Sequence, residues 1–179
     1  YSNSTIPAEI KNKWSVSFIQ GGPKIPTPLT LDSLQSWTNL KGDEYSIFSG
    51  TASYITEINY TPETEMVKLD LGEISDNASV YLNDKYIGTV LNAPYQLLIE
   101  SRLFKGNDKL EVRVANSMAN RIAYMDKNKL EWKIFYNVNM AAKKKENTKN
   151  GIFDASSWNP KPSGLLGPVT LTSVAPQNF

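Results

Sequence analysis

The sequence predicts an all-β sandwich, and three observations carry that expectation. Hydrophobic residues recur at every second position through several runs between Val67 and Val114. Turn-forming residues stand at nearly every break between those runs. The same alternation returns near the end of the chain, from Val169 to Val174. A period of two puts alternate side chains on opposite faces of a pleated strand, so each run has one buried face and one wet face.

Taken in order, Trp14, Val16 and Phe18 form the inward face of a first strand, which Gly21-Gly22-Pro23 ends. Pro26 and Pro28 each lack a ladder donor, so the segment they occupy is no central strand. Leu31 to Leu34 reads as a helical turn, with Trp37 and Leu40 as core contacts. Gly42-Asp43 is a break. Tyr45 to Tyr60 is rich in β-branched and aromatic residues and reads as extended, with Gly50 marking a bulge or a close backbone approach. After the turn Thr61-Pro62-Glu63-Thr64 come Val67, Leu69 and Leu71, then Ala78, Val80 and Leu82. Asn83-Asp84 follows, where a tight hairpin needs residues that tolerate positive φ. That turn sets Val80 opposite Ile87 and Tyr81 opposite Tyr86. A second packed layer is expected to bury the tyrosine pair rather than leave it as an exposed stacking platform. Tyr95, Leu97 and Ile99 give another strand, and Leu110, Val112 and Val114 the next.

From Asn116 to Gly167 the alternation lapses, and this long irregular excursion interrupts one sandwich. Leu130 and Ile134 lie four apart, which predicts a short helix over 127–136. The lysine run Lys143-Lys144-Lys145 reads as solvated surface. Asn150-Gly151 is a turn, and Ser156 to Pro168 is rich in Ser, Pro and Gly.

Bulk properties bound the function. The 179 residues suit a single domain over 1–179, with the excursion at 116–167. A domain of that size buries roughly 70% of the surface its unfolded chain exposes, so it needs no disulfide or metal to stand. The formal net charge of +1 recruits neither nucleic acid nor an anionic membrane. No apolar run approaches the ~20 residues that span a bilayer. The opening on Tyr1 rather than Met suggests an excised piece or a mature form. Cysteine and histidine are both absent. That removes thiolate chemistry, Ser-His-Asp triads and His-based metal sites, and leaves paired carboxylates or pure binding.

Sugars are held by aromatic faces and by side chains that bond hydroxyls. The excursion carries that mixture in Asn120, Arg121, Tyr124, Asp126, Trp132, Tyr136 and Trp158, with Asn137 and Asn139 beside them. Taken singly, Trp132, Tyr136 and Trp158 read as aromatic cover for one end of the sandwich. As a group these residues read as a surface that meets sugar or a partner domain. Arg121 leads the polar members, because its planar fork suits paired hydroxyls or a uronate carboxylate. Glycoside hydrolysis within the chain would need two carboxyls ~5 Å apart or further, flanking one bond. Asp126, Glu131, Glu146 and Asp154 are the candidates, but no spacing makes any two converge. No catalytic residue is assigned, and the chain is expected to have no activity of its own.

Three stretches carry a family resemblance: "YSIFSGTASYITEINY" from Tyr45, "VKLDLGEISDNASVYLNDKYIGTVLNAPYQLLI" from Val67 and "LFKGNDKLEVRVANSMANRI" from Leu103. They resemble the sugar-binding jelly-roll domain of glycoside hydrolase family two. "NRIAYMDKNKLEWKIFYNVN" from Asn120 and "PSGLLGPVTL" from Pro162 look like the C-terminal module of large rhamnosidase-type bacterial glycoside hydrolases. The resemblance implies a jelly-roll, galactose-binding-like β-sandwich of about eight strands. It also implies a non-catalytic, carbohydrate-binding or accessory role in polysaccharide breakdown, beside a separate catalytic domain of the same polypeptide. The implied setting is the periplasm or the bacterial cell exterior. Some relatives hold a structural calcium. Here Asp70, Asp76, Asn77, Asn83 and Asp84 stand near turns without an ordered acidic loop and read as turn formers, so no cofactor is expected.

Overall fold

The computed structural model describes residues 1–133 and 145–176. In chain order its strands are β1 (Ser2–Asn3), β2 (Ala8–Glu9), β3 (Trp14–Gly22), β4 (Leu29–Leu31), β5 (Ser49–Ile58), β6 (Met66–Asp70), β7 (Glu73–Ile74) and β8 (Asn77–Leu82). They continue with β9 (Lys85–Val90), β10 (Gln96–Glu100), β11 (Asp108–Ala115), β12 (Thr148–Lys149), β13 (Ile152–Phe153), β14 (Leu165–Gly167) and β15 (Thr170–Ala175). Two helices, α1 (Asp43–Ser46) and α2 (Ala119–Lys127), lie among them.

Two antiparallel sheets form the sandwich. One has the order β4-β3-β5-β11-β8-β9, and the other β1-β15-β6-β10 with β2 also on β15. The eleven strands exceed the expected eight because β1, β2 and β4 are short edge pieces. The alternating residues face inward as anticipated. Val67, Leu69, Ala78, Val80, Leu110, Val112 and Val114 are all fully buried between the sheets. At one end Phe18, Trp37, Tyr45 and Phe48 pack ring against ring at centroid separations of 4.9–5.7 Å. Gly21 and Gly50 face each other across the β3–β5 ladder, and a Cβ on Gly50 would come within 2.1 Å of the Gln20 carbonyl oxygen. The close-approach reading of Gly50 therefore holds.

Four local expectations change. Leu31 belongs to edge strand β4, and the helical turn lies later, as a 3-10 turn at Trp37–Asn39 whose start is capped by the Ser36 hydroxyl. Tyr45 lies in α1, so the extended segment starts at Ser49. The excursion's helix occupies Ala119–Lys127 rather than 127–136, because Lys129 turns left-handed (φ 56°) and Leu130 N–H folds back onto the Met125 carbonyl. Residues 134–136 of the expected helix, with Tyr136, Asn137, Asn139, Lys143 and Lys144, lie outside the described residues. The excursion also closes before Gly167, since β14 already pairs with β7.

The Asn83-Asp84 turn forms with φ of 51° and 65°. Tyr81 does oppose Tyr86, but Val80 opposes Gly88 instead of Ile87. A bulge after Tyr86 inserts Ile87 as an extra residue, and this shifts the phase of β9. Thr89 thereby joins Tyr86 on the outer face, while Val90 returns to the core. The tyrosines are not covered by a second layer. Tyr86 is 55% exposed, because the second sheet packs against the opposite face of β8 and β9. Two cross-strand rows therefore lie on the sheet face away from the second sheet, with Ser53 and Glu111 in their middle only 4% and 7% exposed. One joins Ser15, Ile55, Glu111, Tyr81 and Tyr86, and the other Ser17, Ser53, Arg113, Ser79 and Thr89.

Within those rows Glu111 accepts hydrogen bonds from Ser53 Oγ and Arg113 Nε, each at 2.7 Å. Burial pushes the Glu111 carboxyl up, but the bonds from Arg113 and Ser53 and the charges of Arg113 and Lys109 outweigh it, holding it below the usual glutamate value. A depressed folded-state value adds stability above the unfolded glutamate pKa and loses it as pH falls through the folded one. Between about pH 6 and pH 3, Glu111→Gln is expected to lose less stability than the parent, measured as the urea midpoint at each pH.

Candidate functional site

α2 sorts the sugar-binding candidates by direction. At about 100° per residue, Asn120, Ala123, Tyr124 and Lys127 share one stripe, while Arg121 and Asp126 point elsewhere. The stripe lines a cleft of about 400 Å³. Asp43, Ser46 and Ile47 close it from the α1 side, and Ser156, Trp158 and Pro160 from the returning chain. Tyr124 and Trp158 thus meet in one cleft, both half-buried. Asp43 is the one carboxylate among the described residues that line it.

Asn120 also has a structural task. Its amide donates to the Lys161 carbonyl (2.7 Å) and accepts from Lys161 N–H (2.7 Å), pinning the returning chain to α2. Arg121 does not line the cleft. Its guanidinium lies against Gly22, where an added Cβ would come within 3.0 Å of Nη1.

Asp126 and Trp132 build a small core inside the excursion. Asp126 Oδ1 accepts from Trp132 Nε1 (2.7 Å) and pairs with Lys133 Nζ (2.8 Å), and Oδ2 accepts from Ala155 N–H (2.8 Å). Its side chain is only 4% exposed. The Lys133 ammonium lies over the Trp132 and Phe153 rings and donates to the Phe153 carbonyl. Phe153 stands edge-on to both Trp132 and Trp158. These tryptophans therefore organise the excursion itself, in place of the expected cover over one end of the sandwich. Asp154, hydrogen-bonded by the Ser156 side chain and backbone, is held below the usual aspartate range. Glu131 and Glu146 are exposed.

The turn residues are occupied by protein donors. Asp70 accepts from Gly72 N–H and Gln96 Nε2, Asp76 from Ser117 N–H and Lys161 Nζ, and Asp84 pairs with Lys109. Among the described residues, no three His, Cys, Asp or Glu side chains group as a metal site. No described helix is long and apolar enough to cross a membrane.

Sequence reasoning missed Asp43, Ser46, Lys127, Asn128, Ser156 and Pro160 in the cleft. Asn120 to Lys127 at helical spacing was the available signal. The approach of α1 is long-range and left no local trace.

Two packed antiparallel sheets, with a helix-bearing excursion at one end, define a galactose-binding-like β-sandwich. Residues 37–165 match the family described as "Glycosyl hydrolase 2 galactose-binding domain-like". The chain belongs to that family. The matched span contains the three stretches on which the family-two resemblance rested. A Formosa agariphila relative named "Putative beta-glucuronidase" is 32% identical over 120 residues, 65% of this chain and 10% of its own. A rhamnosidase from Novosphingobium sp. PP1Y superposes over 92% of this chain and 15% of its own, with a TM-score of 0.69 and 28% identity. A GH2 beta-galacturonidase from Eisenbergiella tayi, bound to galacturonate, covers 98% of this chain and 26% of its own at a TM-score of 0.54 and 19% identity, and so shares the fold. In each relative the matching region is a small part of a much longer chain.

Proposed function

We propose that this chain is a non-catalytic accessory domain of a larger glycoside hydrolase, and that its α1–α2 cleft contacts the carbohydrate being degraded. The supporting observation is the makeup of the cleft. Tyr124 and Trp158 offer aromatic surface beside amides and one lysine, while Asp43 is the one carboxylate among the described lining residues, where hydrolysis between flanking acids needs two. Binding sites of this kind are concave, with aromatic walls and a few polar groups that fix orientation. The names of the 32% and 28% identical relatives, a putative beta-glucuronidase and a rhamnosidase, support a carbohydrate bearing uronate or rhamnose, and the substrate proposed is a plant-type polysaccharide. A parent enzyme that degrades such a polymer would meet it in the periplasm or outside the cell. The role calls for no cofactor and no nucleic-acid partner.

Titration of the chain with rhamnose- and uronate-containing oligosaccharides tests this. Trp158→Ala and Tyr124→Ala are each expected to weaken binding at least about tenfold, a loss of ~1.4 kcal/mol. Unchanged affinity in both variants would falsify the cleft as a sugar site.

A second reading, packing against the separate catalytic domain, has its own support. Met118, Leu130 and Ile152 on the excursion are 46%, 50% and 41% exposed. Such apolar groups are natural contacts for a neighbouring domain. Oligosaccharide binding that fails in the isolated chain but appears in the full-length enzyme would favour that reading.

A further inference from the structure

The outward rows of the six-stranded sheet are unlike an ordinary wetted sheet face. Solvated antiparallel faces and edges usually carry unpaired Lys and Glu, which keep them soluble and separate. In these two rows the charges are Glu111 and Arg113, which neutralise each other through bonds at 2.7 and 3.3 Å, while the next row on the same face sets Glu57 opposite Lys109. The remaining polar groups are mainly hydroxyls. Rows that cross five strands span about 19 Å at ~4.8 Å per strand.

One end of the rows is preorganised. The Tyr86 ring stands edge-to-face with Tyr81 at 5.5 Å, and its hydroxyl bonds Thr89 Oγ1 at 2.9 Å. Thr89 in turn bonds Ser79 Oγ at 2.8 Å. The Arg113 guanidinium lies 4.3 Å from the Tyr81 ring centroid, so Tyr81 is covered while Tyr86 stays open. Arg113 Nη1 reaches the Tyr81 hydroxyl only at 3.5 Å, which leaves donor capacity for an incoming oxygen. The Ile87 bulge brings Thr89 and Tyr86 to the same face, and bulges recur where side chains are re-aimed beside functional sites.

We propose that this face is a second carbohydrate-contacting surface, taking a neutral, extended glycan along the rows with one sugar ring on Tyr86. An immobilised aromatic ring loses little freedom on binding. A neutral chain fits because the Arg113 fork is already engaged by Glu111, so a uronate would have to displace that carboxylate and sit beside its charge. A protein partner fits less well, since interface cores are depleted in serine and Ser17 and Ser79 lie in one row. The surface is separate from the cleft and does not depend on it.

The test is residue-resolved NMR titration of the chain with cellohexaose, xylohexaose and β-1,4-galactohexaose, with hexagalacturonate as the charged comparison. At least one neutral hexasaccharide is expected to shift the amides of Ser79, Tyr81, Thr89 and Arg113. Hexagalacturonate is expected to bind there at least about tenfold more weakly. Tyr86→Ala should abolish the shifts with an unchanged melting temperature, and Trp158→Ala should leave them intact. The idea is overturned if no neutral probe moves these amides, if the uronate is preferred, or if Tyr86→Ala binds like the parent. Concentration-dependent broadening of the same amides without sugar would assign the face to a second copy and overturn it too.

Discussion

Asp126→Ala is expected to open the excursion while the sandwich stays folded. The substitution removes the acceptor shared by Trp132 Nε1, Ala155 N–H and the Lys133 ammonium. Lys133 is 19% exposed and would be left without its counter-charge. Breaking a buried pair from one side costs about 3–5 kcal/mol, and the partial exposure of Lys133 argues for the lower end. Local stability of about 3 kcal/mol corresponds to roughly 100-fold in hydrogen-exchange protection. That loss is expected at the Asp154 amide, which bonds the Asn147 carbonyl rather than Asp126, with Val112 in the centre of β11 unchanged. Equal loss at both amides would show that excursion and sandwich unfold as one unit.

Gly164→Ala has the larger global effect. Residues 163–165 are threaded between two parts of the sandwich. Ser163 N–H donates to Ser36 Oγ, Trp37 N–H donates to the Ser163 carbonyl, and Ser75 N–H donates to the Gly164 carbonyl. Leu165 N–H and Trp37 Nε1 both donate to the Tyr54 hydroxyl. Burial pushes that phenol up to about 12, against the smaller opposing effect of those two bonds, so it stays neutral. Gly164 has φ +102°, and a Cβ there would come within 2.4 Å of Tyr54 Oη and 2.5 Å of Trp37 Nε1. Both aromatic side chains are fully buried and have no room to give way. Backbone strain of about 1–3 kcal/mol adds to overpacking of about 1–3 kcal/mol. For a domain of this size the melting temperature is expected to fall by about 10 °C. Gly106→Ala is the matched comparison: its φ is +96°, yet nothing lies within 4 Å of the added Cβ. It should show the strain alone, and equal losses at the two sites would refute the packing argument.

The strands were legible because burial on one face writes itself into a period of two, as Val67, Leu69, Val112 and Val114 show. The Asn83-Asp84 turn was legible because few residues accept positive φ. The Ile87 bulge was not, since it is a property of the β8–β9 pairing rather than of β9 alone. Tyr81 and Tyr86 were placed on the correct shared face, but which face receives the second sheet depends on the whole topology. In the excursion, Leu130 suggested a helix that the left-handed Lys129 had already ended. Asn120, Tyr124 and Trp158 do converge, whereas Arg121 and Asp126 are turned away by the helix's own geometry.

The neighbouring ends of the excursion carry a consequence for how such domains diversify. Asn116 Nδ2 bonds Phe48 O and Ser163 Oγ, at 2.9 and 3.2 Å, so the departing and returning chain are clamped together at the rim. A cassette mounted on so narrow a socket can be lengthened, trimmed or exchanged with little change in closure entropy. Descendants of one scaffold can thereby acquire new recognition arms while every strand beneath keeps its register.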